Sequence, residues 1–297
     1  MMNMRTRSPA RFAAWALAIL AALLFAACVG TGPRVLHEQA SPQGSIIVTQ
    51  NEQGMRVLYF EKGGARQSVV KPGDPEHLEL PYARAVMSGL ALNPQPRRIL
   101  VIGLGGGTLP SFLRLHFPQA VIDAAEIDPG VAEVAVKYFE FREDRNMKIR
   151  LGDGRAWIEK APAASYDLII LDAYGADSVP MSLATVEFLR AVRRALSADG
   201  LVISNVWGRL SNPLYDDMVR TYEEVFEELY IVHAPNSGNR IVMALPRRES
   251  LTREQLVERS RGITRDHALR FDLGALVQEG FVPATDRDAK ARVLRDK

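Results

Sequence analysis

The stretch Ile99-Leu100-Val101-Ile102-Gly103-Leu104-Gly105-Gly106-Gly107-Thr108 decides the fold. Four consecutive apolar residues are too few for a helix and read as a strand covered on both faces. Apolar residues at helical spacing follow over Leu109–His116. The glycines between let a strand bend sharply into a helix while its backbone approaches a ligand with no Cβ in the way. Amides freed at such a bend, together with the start of a helix, favour an anionic or electron-rich group. The next strand, Val121 to Glu126, ends on a carboxylate 19 residues after Gly107. That is close to the ~20-residue offset at which an acid grips ribose hydroxyls. Bend and acid together predict a nucleoside site.

Outward from this unit the chain alternates strand and helix. Strands are predicted at Ile99–Ile102, Val121–Glu126, Lys148–Leu151, Leu168–Leu171 and Leu201–Val206. Helices are predicted near Leu109–His116, Val131–Tyr138, Arg155–Lys160 and Leu183–Leu196, the last capped by Ala198-Asp199-Gly200. A helix over Leu214–Leu229 and strands near Ile231–Val232 and Arg240–Leu245 complete the pattern. The fold class is therefore α/β, a doubly wound and mostly parallel seven-stranded sheet over residues 93–246. Before it, residues 45–92 hold three short runs rich in β-branched and aromatic residues and then a helix, a small β-rich unit. Residues 247–297 are charged and predicted to be a helical extension.

Charge and targeting signals narrow the function. Lys and Arg number 37 against 35 Asp and Glu, but Arg5, Arg7 and Arg11 fall in the first 27 residues with no acid. The rest is nearly neutral, which gives no support to a nucleic-acid partner. Five scattered histidines and one cysteine show no metal-ligand spacing, so neither a structural metal nor an internal disulfide is expected. The three arginines precede the apolar run Phe12–Ala27, and Ala26-Ala27-Cys28 resembles a lipobox. Residues 1–28 are read as an export signal with Cys28 as the lipidated mature N-terminus, an uncleaved membrane anchor or ordinary secretion being the alternatives. Residues 29–44, with Gly30, Gly32, Pro33, Pro42 and Gly44, are read as a tether. The expected location is the cell envelope, outside the cytoplasm and held to a membrane.

Two further acids stand at strand ends. Gly152-Asp153-Gly154 closes the third strand and Leu171-Asp172 the fourth, on the edge where open α/β sheets bind ligands. Thr108 occupies the position where a dinucleotide fingerprint asks for glycine, which counts against NAD. Adenine offers an amino donor, ribose two hydroxyls and a sulfonium a positive charge, so three carboxylates suit an adenosyl sulfonium better than a pyrophosphate. Asp153 also has a plain structural reading as the N-cap before Arg155-Ala156-Trp157. Capping and adenine binding are compatible.

With these residues in place the chain resembles the spermidine synthase family from about Ser41 to Leu245. The matching motifs are Gly103-Leu104-Gly105-Gly106-Gly107, Glu126-Ile127-Asp128, Gly152-Asp153-Gly154 and Asp172-Ala173-Tyr174, with Ser41-Pro42-Gln43 ahead of them. The resemblance implies a methyltransferase-like Rossmann fold and transfer of an aminopropyl group from decarboxylated S-adenosylmethionine to an amine. It implies Asp172 as catalytic base. Gln43, Gly103, Gly105, Gly107, Glu126, Asp153 and Gly154 would bind the donor, and Tyr82, Tyr174 and Asp177 would lie beside the amine. Family members often form dimers, so a homodimer is implied.

Departures from the family pattern open alternatives. The family's glycine loop has an aspartate where an ungapped match places Gly106, and this removes an attraction for the amine of the decarboxylated donor. Ordinary S-adenosylmethionine would be tolerated there, so methyl transfer is the alternative reaction. Ala83 and Arg84 replace a histidine and a glutamate after Tyr82, which removes negative charge that a dicationic amine needs. A non-catalytic binder of nucleosides or polyamines is the alternative from another class. Trp207 is read as a packed lid, and Tyr138, Phe139 and Phe141 as packing under the sheet edge.

Overall fold

The computed structural model describes residues 32–174 and 179–297. The signal segment, Cys28 and Asp177 lie outside the described residues.

The chain opens with four strands, β1 (Arg34–Ser41), β2 (Gly44–Gln50), β3 (Arg56–Tyr59) and β4 (Arg66–Val70), in one antiparallel sheet of that order. Half of the segment read as a tether is thus β1, paired with β2 from Arg34↔Gln50 to Ser41↔Gly44. Its sequence hides the strand because an edge strand with mostly polar residues shows no apolar alternation. A short helix α1 (Pro81–Val86) and a 3₁₀ turn, Met87–Ala91, follow where a single helix is expected.

The main sheet is built from β5 (Arg98–Ile102), β6 (Val121–Glu126), β7 (Met147–Leu151), β8 (Tyr166–Leu171), β9 (Leu196–Trp207), β10 (Glu228–His233), β11 (Asn239–Leu245) and β12 (Phe281–Val282). Its order is β12-β10-β11-β9-β8-β5-β6-β7. The five strands β5 to β9 run parallel, and β11 enters antiparallel between β9 and β10. The expected seven strands are joined by an eighth, since Phe281 and Val282 pair with Val232 and Ile231. Two residues carry no periodicity from which such a strand can be read.

Alternation along each strand sends side chains to two cores. Ile99, Val101, Ile122, Leu168 and Ile203 pack on one face beneath α2 (Thr108–His116), α7 (Arg253–Asp266) and α8 (Leu273–Gly280). Leu100, Ile102, Ile169, Leu171 and Val202 pack on the other beneath α4 (Gly154–Lys160), α5 (Val186–Ala195) and α6 (Tyr215–Val225). On α5, Val186, Phe188, Leu189 and Val192 are fully enclosed, each large side chain contributing about 1.5–3 kcal/mol. That helix ends at Ala195, one residue before the expected Leu196, and the Ala198-Asp199-Gly200 cap does not form because β9 starts directly at Leu196 in extended backbone.

Helix α3 (Pro129–Tyr138) joins the two sheets. Ala132 and Ala135 face the main sheet, while Val131, Val134 and the following Phe139 pack against Ile46, Val48 and Leu58 of the small one. This sandwich holds the β1–β2 turn above the glycine bend. Phe139 and Phe141 are buried in these cores and also back the bend: a Cβ on Gly106 would stand 2.6 Å from Phe139, and one on Gly107 would stand 2.4 Å from Phe141.

Candidate active site

The parallel strands β5, β6 and β8 end around one cleft of about 370 Å³, within the usual size of a small-molecule site. At Gly103 the backbone turns with φ +99°, and a Cβ there would stand 2.3 Å from the carbonyl oxygen of Asp172. Only glycine lets β5 and β8 come together at this point. Gly103 and Gly105 line the cleft. Gly107 does not: it caps α2 in the left-handed region, against Phe141, so its part is to shape the loop.

Glu126, at the tip of β6, is buried and holds the glycine loop as well as facing the cleft. Its carboxylate accepts the Leu104 amide at 3.0 Å and the Asp128 amide at 2.9 Å. Burial raises its carboxyl above the usual range, opposed by the amides of Asp128, Leu104 and Gly105. Asp128 caps α3 through the Gly130 amide at 2.8 Å and also accepts the Ser41 hydroxyl, which latches the β1–β2 turn to the cleft. Gln43 lies in that turn and lines the cleft. Asp153 caps α4, accepting the Arg155 amide at 2.8 Å, and is exposed to the cleft beside Gly154. Gly154 packs so tightly on Ile102 that a Cβ would stand 2.4 Å from it.

Asp172 follows the end of β8 and lines the cleft. Tyr82 donates its hydroxyl to Oδ2 at 3.1 Å, and Asn205 donates Nδ2 to Oδ1 at 2.8 Å. Asn239 in turn donates to Asn205 Oδ1 at 2.8 Å, which fixes the Asn205 amide with its nitrogen toward the carboxylate. Burial pushes the Asp172 carboxyl up to about 7, against the pull of the Asn205 and Tyr82 hydrogen bonds. Burial and the Asp172 charge hold the Tyr82 hydroxyl well above the ordinary phenol range. A carboxyl poised near neutrality can take a proton from an incoming nucleophile.

Tyr174 and Trp207 form the outer wall, stacked with ring centroids 5.5 Å apart, and the Tyr174 hydroxyl donates to the Asn205 carbonyl at 2.8 Å. Beyond Tyr82 the cleft is lined by Glu79 and Arg66, 3.7 Å apart. The structure thus brings Gln43, Tyr82, Gly103, Gly105, Glu126, Asp153, Gly154, Asp172 and Tyr174 to one cleft. Asp128 of the Glu126-Ile127-Asp128 motif is there too, and so are Asn205, Asn239 and Glu79, which the sequence does not single out. Ser204-Asn205 could have been noticed, being two polar residues within the apolar run of β9.

The sequence matches the spermine/spermidine synthase domain over residues 80–243. It is 35% identical over 246 residues to the polyamine aminopropyltransferase of Vibrio vulnificus, covering 80% of this chain and 81% of that protein. The probable spermidine synthase from Corynebacterium glutamicum shares the fold with a TM-score of 0.71 and 21% identity, over 88% of this chain and 96% of that one. Human methyltransferase-like protein 13, solved in complex with SAH, is 32% identical with a TM-score of 0.58, over 64% of this chain and 93% of that one. On the match across residues 80–243 and the likeness to the Vibrio protein over most of both lengths, the chain belongs to the spermine/spermidine synthase domain family.

Proposed function

We propose that this protein is a transferase that moves an aminopropyl group from decarboxylated S-adenosylmethionine to an amine, with Asp172 as general base. The observation that supports it most is the Asp172 carboxyl, pushed up to about 7 and oriented by Tyr82 and Asn205 in the wall of the cleft. In this reading Glu126 holds the ribose hydroxyls, Asp153 the adenine amino group, and the bend at Gly103 and Gly105 lets the nucleoside lie on bare backbone. The amine nitrogen attacks the carbon beside the sulfonium. The new C–N bond forms as the C–S bond breaks, methylthioadenosine leaves, and the amine's proton passes to Asp172. Alignment of the two reactants supplies much of the acceleration. The test is release of methylthioadenosine by the purified soluble domain given decarboxylated donor and putrescine or other amines; no release with any amine refutes the proposal.

Methyl transfer from ordinary S-adenosylmethionine is the second reading, favoured by the surroundings of Gly106. A Cβ at Gly106 would stand 2.6 Å from Phe139 and 2.7 Å from the Ser68 hydroxyl, so the neutral hydroxyls of Ser68 and Thr108, 2.9 Å apart, occupy space where the family has an acid. No charge there repels the carboxylate of the undecarboxylated donor. Formation of S-adenosylhomocysteine instead of methylthioadenosine separates the two reactions.

We also propose export to the cell envelope with a lipid on Cys28, supported by Arg5, Arg7 and Arg11 before the apolar run and by Ala26-Ala27-Cys28. Mass spectrometry of the mature N-terminus tests this, an unprocessed Met1 refuting it. The homodimer implied by the family likeness is tested by light scattering of the soluble domain.

A further inference from the structure

The last residues of the chain are strapped across the body. The Arg292 amide donates to Asp217 at 2.7 Å, the Leu294 amide to the Thr221 hydroxyl at 2.9 Å, and the Asp296 amide to Glu187 at 2.9 Å. The Val186 amide donates back to the Leu294 carbonyl at 2.9 Å. Val293 and Leu294 pack on the core beneath α4, α5 and α6. At the end of the strap the Asp296 carboxylate receives both terminal nitrogens of Arg155, at 2.8 and 2.5 Å, and the Thr185 hydroxyl at 2.8 Å.

Arg155 is a junction. Its backbone amide is the one that Asp153 caps, at 2.8 Å. Its guanidinium also donates to the Ser182 carbonyl at 3.0 Å and to Glu159 at 2.7 Å. Asp153, Gly154, Ser182 and Leu183 all line the cleft, whereas Arg155 and Asp296 do not. One planar fork therefore spans from the C-terminal strap to two segments of the cleft wall, and a bidentate pair fixes direction as well as distance.

We propose that Arg155 and Asp296 are positioning residues for the donor: the C-terminal strap sets donor affinity by holding the Asp153 turn and the Ser182 segment at their working separation. The inference rests on the reading of this end of the cleft as the nucleoside site. The Arg155 and Asp296 side chains are 18% and 38% exposed, and ion pairs near the surface add little to global stability. Their effect falls on local geometry, where a displacement of about 1 Å is felt strongly.

Asp296→Asn and Asp296→Glu in the otherwise intact soluble protein test it, with methylthioadenosine affinity measured by calorimetry and donor KM and kcat by steady-state kinetics. Asp296→Asn is expected to weaken methylthioadenosine binding and raise donor KM by about fivefold or more, with kcat at saturating donor within about twofold of wild type. Asp296→Glu is expected to recover most of the affinity. Arg270→Ala, which removes surface ion pairs to Asp74 and Glu76, is expected to change neither constant. Unaltered affinity in Asp296→Asn, or equal losses of kcat and affinity with a lowered melting temperature, would overturn the proposal. A wild-type protein that binds no adenosyl compound overturns the nucleoside reading and this inference together, whereas binding indifferent to Asp296 overturns only the latter.

Discussion

Replacing Asp172 with asparagine should stabilise the fold while abolishing the reaction. Burial lifts the Asp172 carboxyl from 3.8 to about 7, so between those values the folded protein binds more protons than the unfolded one and stability falls as pH rises. Below pH ~4 both states are protonated and there is no penalty; above pH ~7 it is complete, about 4 kcal/mol at most. Asparagine removes the charge and fits the network. Its oxygen can accept from Asn205, its amino group can donate to the Tyr82 oxygen, and Tyr82 can turn its proton to the Gln67 carbonyl, 3.5 Å away. The variant's advantage over wild type should therefore grow by roughly 2.5 kcal/mol from pH 5 to pH 8. For a chain of this size that is a relative gain of roughly 5–10 °C in melting temperature. Turnover should drop by about 10² to 10⁴, the usual loss with a general base. Scanning calorimetry at pH 5 and pH 8, paired with methylthioadenosine release at pH 8, reads both effects. A variant that melts below wild type at pH 8, or shows the same offset at both pH values, would falsify the reasoning about burial. Retained turnover would remove Asp172 from the role of base.

Three other substitutions probe separate parts of the site. Asn205→Ala removes a 2.8 Å hydrogen bond that lowers the Asp172 carboxyl. The ascending limb of kcat/KM against pH should move up by about one unit, and a downward move would contradict the assignment. Gly103→Ala places a Cβ 2.3 Å from the Asp172 carbonyl in backbone with φ +99°; a loss of about 3 kcal/mol or more in urea unfolding is expected, and an unchanged midpoint argues against the tight β5–β8 approach. Glu126→Gln must turn an amino group toward either the Leu104 or the Asp128 amide, at a cost of about 1–3 kcal/mol. Calorimetry should then show methylthioadenosine binding weakened by about tenfold or more, and full affinity would deny Glu126 its place in the nucleoside site.

The parts of this site that the sequence discloses are those built from local pattern. Ile99–Ile102 and Leu168–Leu171 are strands covered on both faces, so they appear as uninterrupted apolar runs, and Gly103, Glu126, Asp153 and Asp172 stand at or just beyond such runs. What escapes reading depends on contacts distant in sequence. Asn239 matters because β11 inserts beside β9 and brings it 2.8 Å from Asn205, 34 positions away. The latch from Ser41 to Asp128 spans 87 positions. β1 is a polar edge strand whose hydrogen-bonding partner is its only signature. Arg155 and Asp296 are ordinary surface charges until the strap brings them together across 141 positions.

The raised carboxyl of Asp172 also couples proton release to binding in the cleft. With its proton half-retained near neutrality, the Asp172 carboxyl carries on average about half a negative charge there. A sulfonium drawn into the same cleft favours the ionised form, so docking of the donor near pH 7 should discharge up to about half a proton, read as a binding enthalpy that differs between phosphate and Tris buffers. Loading thereby arms the site: an amine arriving first meets a carboxyl that is still partly protonated, and one arriving second meets an anion ready to receive it.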